Sequence, residues 1–297
     1  MSESEQPVVV GYDESPGSDA AVSWAAVEAA RRDRALVVLV ATDAIRHMTD
    51  LLSLSGVSGG TLEEEAKKVA DHGVEVAKAA APSVDVQPHV SSTGAVAALC
   101  EAAQDASLLV VGSSGHGRVM HALSGSVAFA VVTHAKVSVV AVRSEQTSHA
   151  GPEHPVVVGV DGSAGSDLAV DQAANIASET GAELVVVAAW ETPRSDHWSR
   201  VYLADDEWRK EDIDRARGYA HMLVGRARTR AHEQHPDLTV RESVQEGRPE
   251  QVITHAHDEA ALVVVGARGH GDFRSLLLGS VGRGVVHRAH CPVAIIR

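Results

Sequence analysis

The stretch VVVGYDESPGSDAAVSWAA, residues 8–26, returns as VVVGVDGSAGSDLAVDQAA at residues 156–174, with 13 of 19 positions identical at an offset of 148. Each copy opens on an unbroken valine run, the mark of a strand buried on both faces, and passes at once into an alanine-rich segment of helical character. A second pair, LLVVGSSGHGRVMHALSGSV at 108–127 and LVVVGARGHGDFRSLLLGSV at 262–281, lies at an offset of 154, so the second copy has gained about six residues in between. Duplications of this length are domain-sized, well beyond the roughly 20 to 50 residues of a solenoid repeat. The chain therefore divides into two copies, residues 1–145 and 153–297. A polar linker, SEQTSHAGPEHP at 144–155, carries a glycine and two prolines between them.

Working outward, valine-rich runs alternate with alanine-rich amphipathic stretches, the pattern of a mostly parallel sheet with crossover helices. In the first copy this predicts strands at 7–12, 35–42, 84–90, 108–112 and 137–142, with helices at 18–33, 62–80, 95–105 and 126–134. In the second it predicts strands at 155–160, 183–189, 239–243, 262–266 and 293–296. The expected fold class is α/β: two tandem doubly wound domains, each a five-stranded parallel sheet of order 3-2-1-4-5 with helices on both faces. That order sets the ends of the first and fourth strands side by side, where a ligand is expected. The segments after the second strands, LLSLSGVSGG and ETPRSDHWSRVYLADDEW, are the least alike and read either as a lid or partner surface or as tolerant loops.

Composition narrows the function. Hydrophobic residues make up 44% of the 297 and aromatics 3%, so Val, Ala, Leu and Ile must build the core. The net charge of -14 repels nucleic acid and anionic membranes. Two cysteines, Cys100 and Cys291, exclude a disulfide framework. Met1 to Gln6 carries no signal-peptide pattern, and no apolar run approaches the roughly 18 residues of a membrane span. The expected location is cytoplasmic, without membrane insertion.

The chemistry is carried by the segment after each fourth strand. Gly112 and Gly115 are followed, after nine residues, by Gly125-Ser126-Val127; Gly266 and Gly269 by Gly279-Ser280-Val281. A glycine loop ending at a helix N-terminus offers backbone N–H groups and a partial positive charge to an anion. Neither loop is a Walker A motif or a Gly-x-Gly-x-x-Gly fingerprint. Arg118 and Arg268 are the candidates to neutralise phosphate, aided by a divalent cation such as Mg2+. Ser126 and Ser280 can be N-caps and phosphate donors. Asp13 and Asp161 end the first strands, and two readings stand side by side: a polar contact to a base or metal shell, or a residue that turns the chain and caps the helix. Other candidates are weaker. Ser58-Gly-Gly-Thr61 follows the wrong strand for a pyrophosphatase-type loop, the histidine pairs lack metal-ligand partners, and Cys291 reads as a small core residue.

The order VVVG-x-D, Gly-2x-Gly-9x-Gly-Ser and a closing HA-x-CPV segment resembles the universal stress protein family, of the tandem two-domain, ATP-binding type. The resemblance implies that the aspartate faces adenine, the glycine loop wraps ribose and triphosphate, and the end of the second strand completes the base pocket. In the first copy these positions are Gly11, Asp13, Thr42, Gly112, Ser113, Ser114, Gly115, His116, Gly117, Arg118, Gly125, Ser126 and Val127. In the second they are Gly159, Asp161, Ala189, Gly266, Ala267, Arg268, Gly269, His270, Gly271, Asp272, Gly279, Ser280 and Val281. Two departures stand out: Val137-Ser138 replaces the Cys-Pro kept as Cys291-Pro292, and Arg118 stands opposite Asp272, so the first site is expected to hold charge better. The function implied is an ATP-binding regulator of stress adaptation. Its rivals are a slow ATPase or autophosphorylating enzyme, with Ser126 or Ser280 as acceptor, and a homodimeric scaffold without ligand. The fifth-strand edges invite pairing of the domains or of two chains.

Overall fold

The computed structural model describes residues 6–43, 62–113, 126–143, 148–192, 206–270 and 278–297. The expected lid segments fall mostly outside these residues.

In the first copy, β1 (Val8–Gly11), α1 (Pro16–Arg31), β2 (Leu36–Ala41), α2 (Leu62–Ala80), β3 (Val86–Ser91), α3 (Ala95–Ala102), β4 (Leu108–Gly112), α4 (Ser126–His134) and β5 (Val139–Val142) follow one another. A turn of 3-10 helix, Ala103–Asp105, extends α3. The strands lie in the order β3-β2-β1-β4-β5, every pair parallel. The reason is visible in the side chains: Val8, Val10, Leu36, Val38, Val40, Leu109 and Val110 are fully buried, as strands covered by helices on both faces must be. The free edge is β3, whose residues are half-buried or exposed and include Pro88. A residue without an N–H is tolerated in a sheet at such an edge.

The second copy repeats the plan with β6 (Val156–Gly159), α5 (Ala164–Thr180), β7 (Leu184–Trp190), α6 (Asp206–Gln234), β8 (Val240–Glu246), α7 (Pro249–Thr254), β9 (Leu262–Gly266), α8 (Ser280–Arg288) and β10 (Val293–Ile296). Its parallel ladder runs β8-β7-β6-β9. The edge strand β8 is blunted by Arg241, Glu242 and Glu246.

Two compact units result, one of Met1–Thr147 with His290–Ile295 and Arg297, the other of Ser148–Ala289 with Ile296. Within the first, β10 pairs antiparallel with the outer edge of β5, Val293 opposite Ala141 and Ile295 opposite Val139. Within the second, the Ala267 N–H beyond β9 donates to the Ile296 carbonyl at 2.8 Å, as the Ser113 N–H beyond β4 donates to Val142 at 2.7 Å.

Candidate nucleotide sites

In each copy the first and fourth strands end side by side, β1 against β4 and β6 against β9, where the strand order reverses. Helices α1 and α5 start from this point. Their caps are Ser15 and Ser163, whose hydroxyls accept the Ser18 and Ser166 N–H groups at 3.2 Å. Capping therefore belongs to the serines, and the aspartates shape the turn before them. Asp13 Oδ1 accepts the Ser15 N–H at 3.1 Å and its hydroxyl at 2.6 Å; Asp161 Oδ1 accepts the Ser163 N–H at 2.9 Å. Between them the chain passes through a left-handed residue, Glu14 in one copy (φ 60°) and Gly162 in the other (φ 85°).

The first glycine of each loop has a packing task. A Cβ on Gly112 would stand 2.6 Å from the Gly17 carbonyl, and one on Gly266 would stand 2.7 Å from the Gly165 carbonyl oxygen. Two facing glycines let a helix N-terminus settle on the end of a strand. Gly11 and Gly159 face Leu99 and Ile253, so they admit α3 and α7 to the sheet.

Beyond Gly266 the loop of the second copy folds back over the start of α5. The Arg268 carbonyl lies against Gly165 and accepts the Ser163 hydroxyl at 3.4 Å. Gly269 lies against the Asp161 carboxylate with no room for a Cβ. The Gly279 N–H donates to Ala267 at 2.8 Å, which brings the N-terminus of α8 to the same place. Gly279 is the N-cap of α8 and makes no side-chain cap; Ser280 is the first helical residue, exposed, not the cap the sequence offers. The structure thus brings together Asp161, Gly266, Ala267, Arg268, Gly269, His270, Gly279 and Ser280, with Val281 one residue into α8. A Cβ on Gly162 would stand 3.5 Å from His270 Nε2 and 3.6 Å from Tyr219 Oη, so α6 forms a wall of this site.

In the first copy Asp13, Gly112 and the buried Ser113 converge at the same place, and Ser126 and Val127 open α4. Ser114, Gly115, His116, Gly117, Arg118 and Gly125 lie outside the described residues, as do Gly271 and Asp272. Thr42 follows β2. The strand register makes Ala189 the counterpart of Ala41, so Trp190 is the counterpart of Thr42.

The helices α2 and α6 carry groups that sequence reasoning missed. The Tyr12 hydroxyl donates to Asp19 Oδ1 at 2.9 Å and meets His72 Nδ1 at 3.0 Å. Burial, then the hydrogen bond to Asp19, pushes the Tyr12 phenol well above its usual value, so it remains a neutral donor. His72 Nδ1 lies 3.5 Å from Glu14 Oε1. In the second copy Arg226 instead grips both oxygens of Asp167, at 2.5 and 2.7 Å.

A tandem, doubly wound α/β chain with a glycine loop folded over the end of a first strand defines the class: a duplicated protein with one candidate ligand site at each switch point. The chain belongs to the Universal stress protein family, whose profile matches residues 5–143 and again 153–297. A universal stress protein of Mycobacterium tuberculosis is 32% identical over 294 residues, 98% of this chain and 96% of the relative. Another from the same organism is 32% identical over 298 residues, with the same coverage. The crystal structure of a universal stress protein from Archaeoglobus fulgidus has the same fold, with a TM-score of 0.63 at 19% identity over 100% of this chain and 99% of that one. Among the described residues no helix is long and apolar enough to cross a membrane.

Proposed function

We propose that the protein is an ATP-binding regulator in stress adaptation or growth arrest, with one site per copy and ATP taken up together with Mg2+. The observation that carries this reading is the meeting of Arg268–Gly269–His270 with the N-terminus of α8 above Asp161. Backbone N–H groups of a glycine-rich turn and the positive end of a helix favour an anion, and Arg268 adds a full positive charge to the same loop. Asp161 keeps its second oxygen toward the loop while the first holds the turn, which leaves a carboxylate at the strand end to accept from a base amine. Bound ATP supplies the polyanion and the amine in one molecule.

As a regulator the protein acts in the cytoplasm, as a homodimer or on a protein partner, by presenting a different surface when nucleotide is bound. Such coupling requires that ATP bind one conformation more tightly than another. The deciding measurement is calorimetric titration of nucleotide-stripped protein with ATP and Mg2+. Two sites per chain are expected. One site points to inequality between the loops, and no binding leaves the ligand-free scaffold. ADP accumulating over many turnovers in the same samples moves the reading to an enzyme.

A further inference from the structure

The residues that rim the two sites differ in charge more than the loops beneath them. The helices α2 and α6 align at the offset of 154: buried Ala66, Val69, Ala70 and Ala77 correspond to buried Ala220, Leu223, Val224 and Ala231. On that register His72 takes the place of Arg226 and Glu65 the place of Tyr219, while Glu14 takes the place of Gly162 on the preceding turn. The contacts agree, because His72 approaches Glu14 as Arg226 approaches the Gly162 carbonyl, both at 3.5 Å.

The electrostatic outcome is opposite in sign. In the first copy Asp19 is met by a neutral phenol, so its charge stands beside those of Asp13 and Glu14. In the second Asp167 is neutralised by Arg226, whose Nη2 donates to both carboxylate oxygens, position 162 carries no side chain, and two polar groups, Tyr219 Oη and His270 Nε2, lie close to it. Arg268 stands where the first copy has uncharged Ser114.

We propose that the two nucleotide sites are not equivalent: the Tyr219, Arg226 and His270 rim makes the second the polyphosphate site, and Glu14 with the uncompensated Asp19 makes the first prefer nucleotides of lower charge. This rests on the nucleotide reading above, and it reverses the order expected from Arg118 and Asp272, which lie outside the described residues.

The test is titration of the full chain with ATP and, separately, AMP, each with Mg2+. The ATP-to-AMP affinity ratio is expected to be roughly tenfold higher at one class of site than at the other, the size of one or two partly screened charges. Two variants assign the classes. Tyr219→Glu, at an exposed position, writes in the first copy's residue and is expected to lower the ratio at the high-ratio class alone. Glu14→Gly, which relieves a left-handed backbone, is expected to raise it at the low-ratio class alone. Ratios equal within about twofold at both classes, or Glu14→Gly acting on the high-ratio class, overturn the inequality while the nucleotide reading stands. Failure of wild-type protein to bind either nucleotide overturns both.

Discussion

Glu28 lies on the buried face of α1, only 6% exposed, at a position where the repeat places Ile176 in α5. It accepts from Arg31 at 2.7 Å and from Arg32 at 2.6 Å. Burial works to raise its pKa, but the Arg31 hydrogen bonds and the charges of Arg32 and Arg31 outweigh it and hold the carboxyl below its ordinary value. Because the folded value lies below the unfolded one, this stability is present in full above the unfolded value of about 4.3 and drains away as pH falls through the lowered folded value. Glu28→Gln is expected to cost about 1–3 kcal/mol at pH 7, since two guanidinium groups lose their partner. Urea melts of both proteins at pH 7 and at about pH 3.5 check it, the gap narrowing in acid as the wild-type carboxylate protonates. A gap that stays constant would show that shape, not charge, sets the value of this residue. The i+3 and i+4 spacing of the arginines makes the cluster legible in the sequence; the left-handed backbone at Glu14 is not, because only its alignment with Gly162 hints at it.

At the level of elements the two copies state the same instructions in different residues. Helix α5 ends at Gly181 in the left-handed conformation (φ 68°), with the Ala182 N–H returned to Ala177; α1 ends the same way at Asp33 (φ 53°), with Arg34 returned to Ala29. A side chain in that conformation is strained where glycine is not, so Asp33→Gly is expected to stabilise by about 0.5–1 kcal/mol, read as a raised midpoint in thermal or urea unfolding. A lowered midpoint would mean that the aspartate side chain offsets its own backbone strain. Helix α6 is docked on α5 through Arg230, which reaches both oxygens of Asp171 at 2.6 Å, with Gln234 on the same carboxylate. Asp171→Asn is expected to cost about 1–2 kcal/mol at neutral pH and to speed hydrogen exchange in α6 before β6. Exchange unchanged in α6 would place its anchorage elsewhere. Most elements were readable from the sequence, because valine runs and alanine-rich amphipathic stretches have different periods. Helix α1 starts two residues before the expected Ser18, since Ser15 followed by Pro16 at the first helical position is the true start signal. Strand β8 runs three residues past the expected 243, because an edge strand alternates weakly and shows no clear end. The glycines that make room for close contact, Gly17 and Gly165, and the wall supplied by α6 were not readable, because each depends on segments about 60 to 100 residues apart, a separation at which local periodicity carries no information.

For the whole molecule, duplication supplies two candidate sites whose proposed residues come each from a single copy, 11–127 for one and 159–281 for the other. A lesion in one glycine loop should therefore silence one site and spare the other, which a site built jointly by both copies could not do. Gly269 is the place to test this, since a Cβ there runs into the Asp161 carboxylate, so that either the carboxylate must turn away or the loop must lift from the strand end. Gly269→Ala is expected to weaken ATP at the second site by about 1–3 kcal/mol through displaced backbone donors. The first site should keep its affinity, so calorimetry would pass from two sites of useful strength per chain to one. Adding Gly115→Ala, the matching change in the first loop, should remove the remaining site. If Gly269→Ala alone abolishes both, the copies act as one cooperative unit, and the independence implied by two self-contained sets of site residues is wrong. If neither single variant nor the pair alters binding, the glycine loops do not hold the nucleotide at all.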